Sequence, residues 1–256
     1  MRRLHFPWRA AALALLPLAL VSAACKGDSA GADLRAATFA TTSTSTTTLP
    51  ATTTTAAPTT TRVTSPPVPV AAVRSVLETG FRPFLAAGDV TLNYPTPRVE
   101  RVGFHESNRA GARDLVVLPG AGETIDMPSR DRKTPGRTAA DILSDPDREV
   151  RVPVTGTVKR GGTYTLYCKY TDSYAVIEPD THPGWEVKIL HITGLAVRAG
   201  QRVEAGVTPL AAHPTRLPFK SQVEDYSASP PWPHVHVEVV DPTIKNPPGV
   251  GGSGCN

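Results

Sequence analysis

From about residue 126 onward the chain is cut into short Val-rich runs: "EVRVPVTGTVKR", "TYTLYCKY", "YAVIEP", "WEVKILHI", "LAVRAGQRVEAG" and "HVHVEVV". Gly, Pro or Asp separates each run from the next. β-Branched and aromatic side chains fit a pleated surface, whereas Gly and Pro interrupt regular structure, so each run is expected to be a strand and each break a turn. Breaks this close together leave little room for helices. They predict an all-β fold, a mainly antiparallel sandwich or barrel-like sheet.

The last run carries chemistry. In "PHVHVEVVDP", residues 233–242, side chains alternate across a strand, which puts His234, His236 and Glu238 on one face and Val235, Val237 and Val239 on the other, core-facing side. The two imidazoles would stand roughly 7 Å apart, at a rise of about 3.3 Å per residue. That separation lets one bind a metal while the other reaches the metal's water. By itself a His-x-His pair is equally compatible with a half-exposed strand that happens to carry two histidines.

The chain ahead of these runs is of a different kind. "MRRLHFPWRAAALALLPLALVSAAC" has Arg2, Arg3 and Arg9 before an apolar run, Ala10–Val21, too short for a comfortable membrane span; residues 1–24 read as an export signal. "VSAAC" resembles a bacterial lipoprotein processing site, with Ser22 where an aliphatic residue is usual. It leaves two outcomes: lipid on Cys25 and membrane attachment, or simple cleavage and release. Residues 25–69, including "TTSTSTTTLPATTTTAAPTTTRVTSPPVP", hold too few large apolar groups to offset the entropy of ordering and are expected to be a disordered stalk of roughly 35–40 Å mean reach. The net charge of +4 comes without a Lys/Arg cluster or interleaved aromatic platform, so nucleic acid is not an expected partner. In an exported protein Cys168 and Cys255 could pair as a disulfide, although "TYTLYCKY" would equally suit a small buried thiol.

Residues 70–125 read as an accessory segment. "VAAVRSVLETGFRPFLAAG" could hold a short helix, and "VTLNYPTPRVERVGFHES" extended pieces broken by Pro. The β-rich domain is then expected over 126–245, with a flexible tail at 246–256.

Four pieces within residues 139–241 stand in a telling order: "ADI" (140–142), "EVRVPVTGTV" (149–158), "EVKILHITGLAVRAGQRVEAG" (186–206) and "WPHVHVEV" (232–239). Together they resemble the M23 family of zinc peptidases, the lysostaphin/LytM-type endopeptidases that cut peptide cross-bridges of bacterial peptidoglycan. The resemblance covers roughly a hundred residues and implies the duplicated hybrid-motif β fold, a zinc cofactor and a peptidoglycan peptide as ligand at the cell envelope. Carried over by position, Asp141 and His236 take zinc-ligand places, and His191 and His234 take the two catalytic places.

One place fails. Four residues before Asp141, where the family has its first zinc-binding His, "RTAAD" has Arg137. A guanidinium has no free lone pair and stays protonated, so it cannot coordinate zinc. Asp141 and His236 alone fall short of the three protein ligands of a catalytic zinc site. Two repairs are open. Another histidine supplies the missing nitrogen, His105 of "GFHES" first, His182 and His213 behind it, and the domain is an active zinc metalloendopeptidase. Alternatively Arg137 pairs with Asp141 in place of the metal, and the domain is a zinc-free pseudopeptidase that binds or regulates. A biotinyl- or lipoyl-type carrier with Lys188 modified is a minor third reading, which export disfavours. Trp185 and Trp232 are expected to pack rather than line a groove, Glu238 either orients an imidazole or is an ordinary strand Glu, and the polar loop 215–232 is expected to shape access.

Overall fold

A computed structural model describes residues 73–248 and 250. The signal and stalk segments, Cys25 and Cys255 lie outside the described residues. Fourteen strands occur in the described chain: β1 (Leu77–Glu78), β2 (Pro83–Ala87), β3 (Val90–Asn93), β4 (Arg98–His105), β5 (Val116–Val117), β6 (Thr124–Asp126), β7 (Ala139–Ser144), β8 (Val150–Arg151), β9 (Gly156–Leu166), β10 (Tyr170–Pro179), β11 (Glu186–Leu195), β12 (Arg202–Val203), β13 (Pro209–Pro214) and β14 (His234–Val240). No α-helix occurs among the described residues; a single 3-10 turn spans Gln222–Tyr226. The fold is all-β, as the runs of alternating Val predict.

Eleven strands form one sheet, whose main path runs β1-β4-β7-β14-β11-β10-β9-β12 with β6, β8 and β13 attached off it. All pairs in it are antiparallel except β4–β6. The path ends in two edge strands and does not close into a barrel. A second sheet has three strands in the order β3-β2-β5. One continuous core joins residues of both sheets, with Phe84, Leu85 and Leu92 of the small sheet packed with Phe104, Ile142, Ile189 and Val237 of the large one. Val235, Val237 and Val239 are each 0 % exposed in that core. At about 1.5–3 kcal/mol for each buried aliphatic side chain, this valine face holds β14 in register.

Two expectations about the first part of the chain need correction. Residues 77–87 are not helical: Gly80 and Phe81 both adopt positive φ (56° and 55°), and Pro83 follows, so a helix is broken before it can complete a turn. Nor does 70–125 stand apart as an accessory segment. β4 pairs along its length with β7, from Val99↔Ser144 to His105↔Ala139, and β6 straddles the expected boundary at 125/126. Val102 and Phe104 of β4 are fully buried against Ile142 and Ala140, which explains why this strand belongs to the sheet.

Candidate metal centre

The candidate residues lie on five neighbouring strands of the large sheet, β4, β7, β14, β11 and β10. Register sets the row. His236 faces Asp141 across β14 and β7, and His105 ends β4 two residues beyond Gly103, the partner of Asp141. Adjacent strands are about 4.8 Å apart, close enough for side chains on one face to meet.

Asp141 is 2 % exposed and lies at the centre. Its Oδ1 is 3.1 Å from His105 Nε2 and 2.8 Å from His236 Nδ1. Burial would raise the Asp141 carboxyl, but its contacts with His105 and His236 outweigh burial and hold it well below the usual carboxylate range. His105 Nδ1 donates to the Glu106 carbonyl at 2.7 Å. A carbonyl oxygen only accepts, so that bond fixes the proton on Nδ1 and turns the Nε2 lone pair toward the Asp141 oxygen. Two lone pairs at that distance require a cation between them, a proton or a metal ion. His105, Asp141 and His236 each offer a ligand atom, all within 4.8 Å of one another, and could hold a metal ion. Among the expected histidines, then, His105 is the one that joins the pair.

The other repair is not what the fold provides. Arg137 is exposed, donates from Nη2 to Asp126 Oδ2 at 2.7 Å and lies over the Phe104 ring, turned away from Asp141. The guanidinium beside Asp141 belongs instead to Arg130, whose Nη2 is 3.6 Å from Oδ2, the oxygen that the histidines leave open. His182 and His213 are not brought to the site: His182 Nδ1 bonds Asp89 Oδ1 at 2.7 Å, and His213 Nδ1 donates to the Pro214 carbonyl.

His191 and His234 stand beside the triad with ring centroids 4.8 Å apart. His234 is 2 % exposed, and burial lowers it to about 3, so its ring is neutral; its Nδ1 is 3.3 Å from Ser221 Oγ. His191 Nδ1 donates to Asp172 Oδ2 at 2.7 Å, which leaves Nε2 free to accept a proton. Tyr164 donates to the same oxygen at 2.7 Å. Burial would raise Asp172, yet the His191 and Tyr164 hydrogen bonds hold it below its ordinary value.

A bulge places His191. Leu190 pairs with Tyr174 and Ile192 with Ser173, so His191 is the extra residue of β11, and its φ is +62°. Strict alternation from buried Ile189 would bury His191 and expose Ile192. The bulge puts Leu190 and His191 on the cleft and returns Ile192, 0 % exposed, to the core. These side chains border a cleft of about 410 Å³.

No family model, curated protein or solved structure matches this chain.

Asp172, Tyr164 and the arginines at 130 and 132 were not singled out in the sequence. The available signal was weak, an Asp interrupting the otherwise strand-forming run at 170–179. Glu238 is buried, 3.2 Å from Lys188 Nζ and accepting from Ser107 Oγ at 2.5 Å, with its Oε2 4.0 Å from His236 Nε2; it is not an ordinary exposed strand residue. Lys188 lies mid-strand in β11 and its side chain is 12 % exposed, unlike an accessible modification site at a hairpin tip. Trp185 packs against the core under Arg113, and Trp232 lies under Arg74. Cys168 is not in a strand but at the exposed tip of the β9–β10 hairpin, with φ +56°, and is disulfide-bonded.

Proposed function

We propose that the protein is an exported zinc peptidase of the M23 type that hydrolyses peptidoglycan peptides, with His105 taking the ligand place that Arg137 vacates. The observation that carries this reading is the convergence of His105 Nε2 and His236 Nδ1 on Asp141 Oδ1, at 3.1 and 2.8 Å, beside the His191–Asp172 pair. Ligands at zinc bond lengths of about 2.0–2.2 Å in a tetrahedron stand roughly 3.3–3.6 Å apart, so small outward shifts would seat the ion. Two imidazoles with one carboxylate are a donor set suited to zinc. When bound, zinc lowers the pKa of its water and polarises a carbonyl.

The chain's own groups divide the remaining work. Asp172, by accepting the Nδ1 proton of His191, keeps Nε2 as the basic nitrogen at the cleft. Neutral His234 offers a ring nitrogen on the same side for a substrate oxygen. The signal and "VSAAC" segments support export and attachment through Cys25, and the Thr/Pro-rich stalk would carry the domain from the membrane into the cell wall.

Arg130, 3.6 Å from Asp141 Oδ2, favours a second reading, in which this guanidinium offsets the carboxylate in a zinc-free binding module. Zinc content and digestion of peptidoglycan separate the two. The peptidase holds one zinc per chain, loses it in His105→Ala, and in His191→Ala keeps zinc while losing cleavage. A chain with no zinc after loading is the module.

A further inference from the structure

Glu106, next to the ligand His105, grips the loop 129–132. Its Oε2 accepts from the backbone N–H of Arg130 at 2.8 Å and of Arg132 at 3.1 Å, and its Oε1 accepts from Ser129 Oγ at 2.5 Å. One carboxylate thus anchors two successive arginine positions to the strand that carries His105. Both arginines line the cleft that His191 and His234 border.

Neither cation is fully compensated. Arg130 donates from Nε to Gln222 Oε1 at 2.6 Å, and its nearest carboxylate is the Asp141 oxygen at 3.6 Å. Arg132 is partly buried and pairs with no carboxylate among the described residues; its side chain donates from Nη1 to the Glu106 carbonyl at 2.9 Å. Burial first, and the Arg130 charge second, press the Arg132 guanidinium below its ordinary value, as for a cation short of counter-charge. A metal ion on Asp141 would draw off the little negative charge Arg130 has.

We propose that Arg130 and Arg132 form a carboxylate-binding subsite of the cleft, so that the preferred peptide carries a carboxylate, on a side chain or at its C-terminus, close to the bond presented to His191 and His234. Two anchored planar guanidiniums match a carboxylate through paired N–H donors, which an ammonium or an amide cannot reproduce. The proposal rests on the peptidase reading only for the ligand being a peptide.

The test is a binding measurement on the full chain in EDTA, which needs neither zinc nor turnover. Calorimetric titration uses the peptide Ala-Ala-Glu-Ala-Ala with a free C-terminus, its Glu→Gln counterpart, and C-terminally amidated forms of both. A charge-assisted hydrogen bond contributes about 1.5–3 kcal/mol, so removing the recognised carboxylate weakens binding about 10- to 150-fold. The Gln arm identifies a side-chain carboxylate and the amide arm a terminal one. In Arg132→Gln, and separately in Arg130→Gln, that preference falls toward equality while weak binding of the neutral peptide is kept. Equal affinity of all four peptides, no binding of any, or an unchanged preference in both variants overturns the subsite. Carboxylate preference in a chain that separately takes up no zinc when loaded without EDTA leaves the subsite standing and removes the peptidase reading.

Discussion

His191 sits in a left-handed backbone conformation that only Gly adopts freely, which makes the pair His191→Ala and His191→Gly informative. Both variants remove the ring and its 2.7 Å hydrogen bond to the fully buried Asp172 carboxylate. Losing a hydrogen bond to a charged group costs about 1.5–3 kcal/mol, and this cost is common to the two. They differ in the Cβ. At φ +62° an alanine keeps the steric penalty of about 1–2 kcal/mol, which glycine sheds. Glycine gives back about 0.5–1 kcal/mol through the greater freedom of its unfolded chain. His191→Gly is therefore expected to be more stable than His191→Ala by about 0.5–1 kcal/mol, the reverse of the order at a regular strand position, where alanine leads by a similar amount. Urea denaturation at pH 7 measures it. With a slope of about 1–3 kcal/mol per M, the midpoints separate by about 0.2–1 M. If the peptidase reading holds, both variants are expected to keep zinc, since His191 lies outside the His105, Asp141 and His236 group, and to lose hydrolysis. An alanine variant as stable as the glycine one, at equal slopes, would refute the bulge and with it the account of how His191 reaches the cleft.

Other outcomes follow from the same geometry. Val237→Ala, which empties a fully buried position flanked by Ala140 and Ile189, should cost about 1.5–3 kcal/mol in a urea melt and leave any metal uptake by His105, Asp141 and His236 unchanged, since its side chain points away from the histidines. Gly156→Ala would set a Cβ 2.0 Å from the Glu178 carbonyl, forcing β9 and β10 apart, and should destabilise by about 3 kcal/mol or more, read as a fall in Tm. The Arg160 hydrogen bond, against burial, holds the Glu186 carboxyl below 4.5, so the pair's contribution is full above that pH and lost as pH falls through the depressed value. With Arg160 nearly half exposed, Glu186→Gln should cost no more than about 1 kcal/mol at pH 7, a difference that shrinks in melts run toward pH 3.

Much of the fold and part of the site were legible in the sequence, for reasons that are local. Along β14, "HVHVEVV" determined that His234, His236 and Glu238 share a face and that three valines enter the core, because alternation is a property of the extended backbone itself. The Gly, Pro and Asp breaks determined an all-β chain in the same way. Local pattern misled within 70–88, which could have held a short helix, where the positive φ of Gly80 and Phe81 breaks one.

Only the tertiary structure decided which histidine completes the group around Asp141. His105 lies thirty-six residues away in sequence, and it arrives because β4 buries Val102 and Phe104 against β7, a ladder no local pattern specifies. The same long-range pairing turned Arg137 out to Asp126 and brought Arg130 and Arg132 in through Glu106. It also set a bulge opposite Ser173 and Tyr174, so that His191 faces the cleft and Asp172. Period and propensity act over a few residues, whereas the identity of a neighbouring strand is settled by the burial of whole faces; the sequence of β14 therefore specified two of the histidines, and the sheet chose their partners.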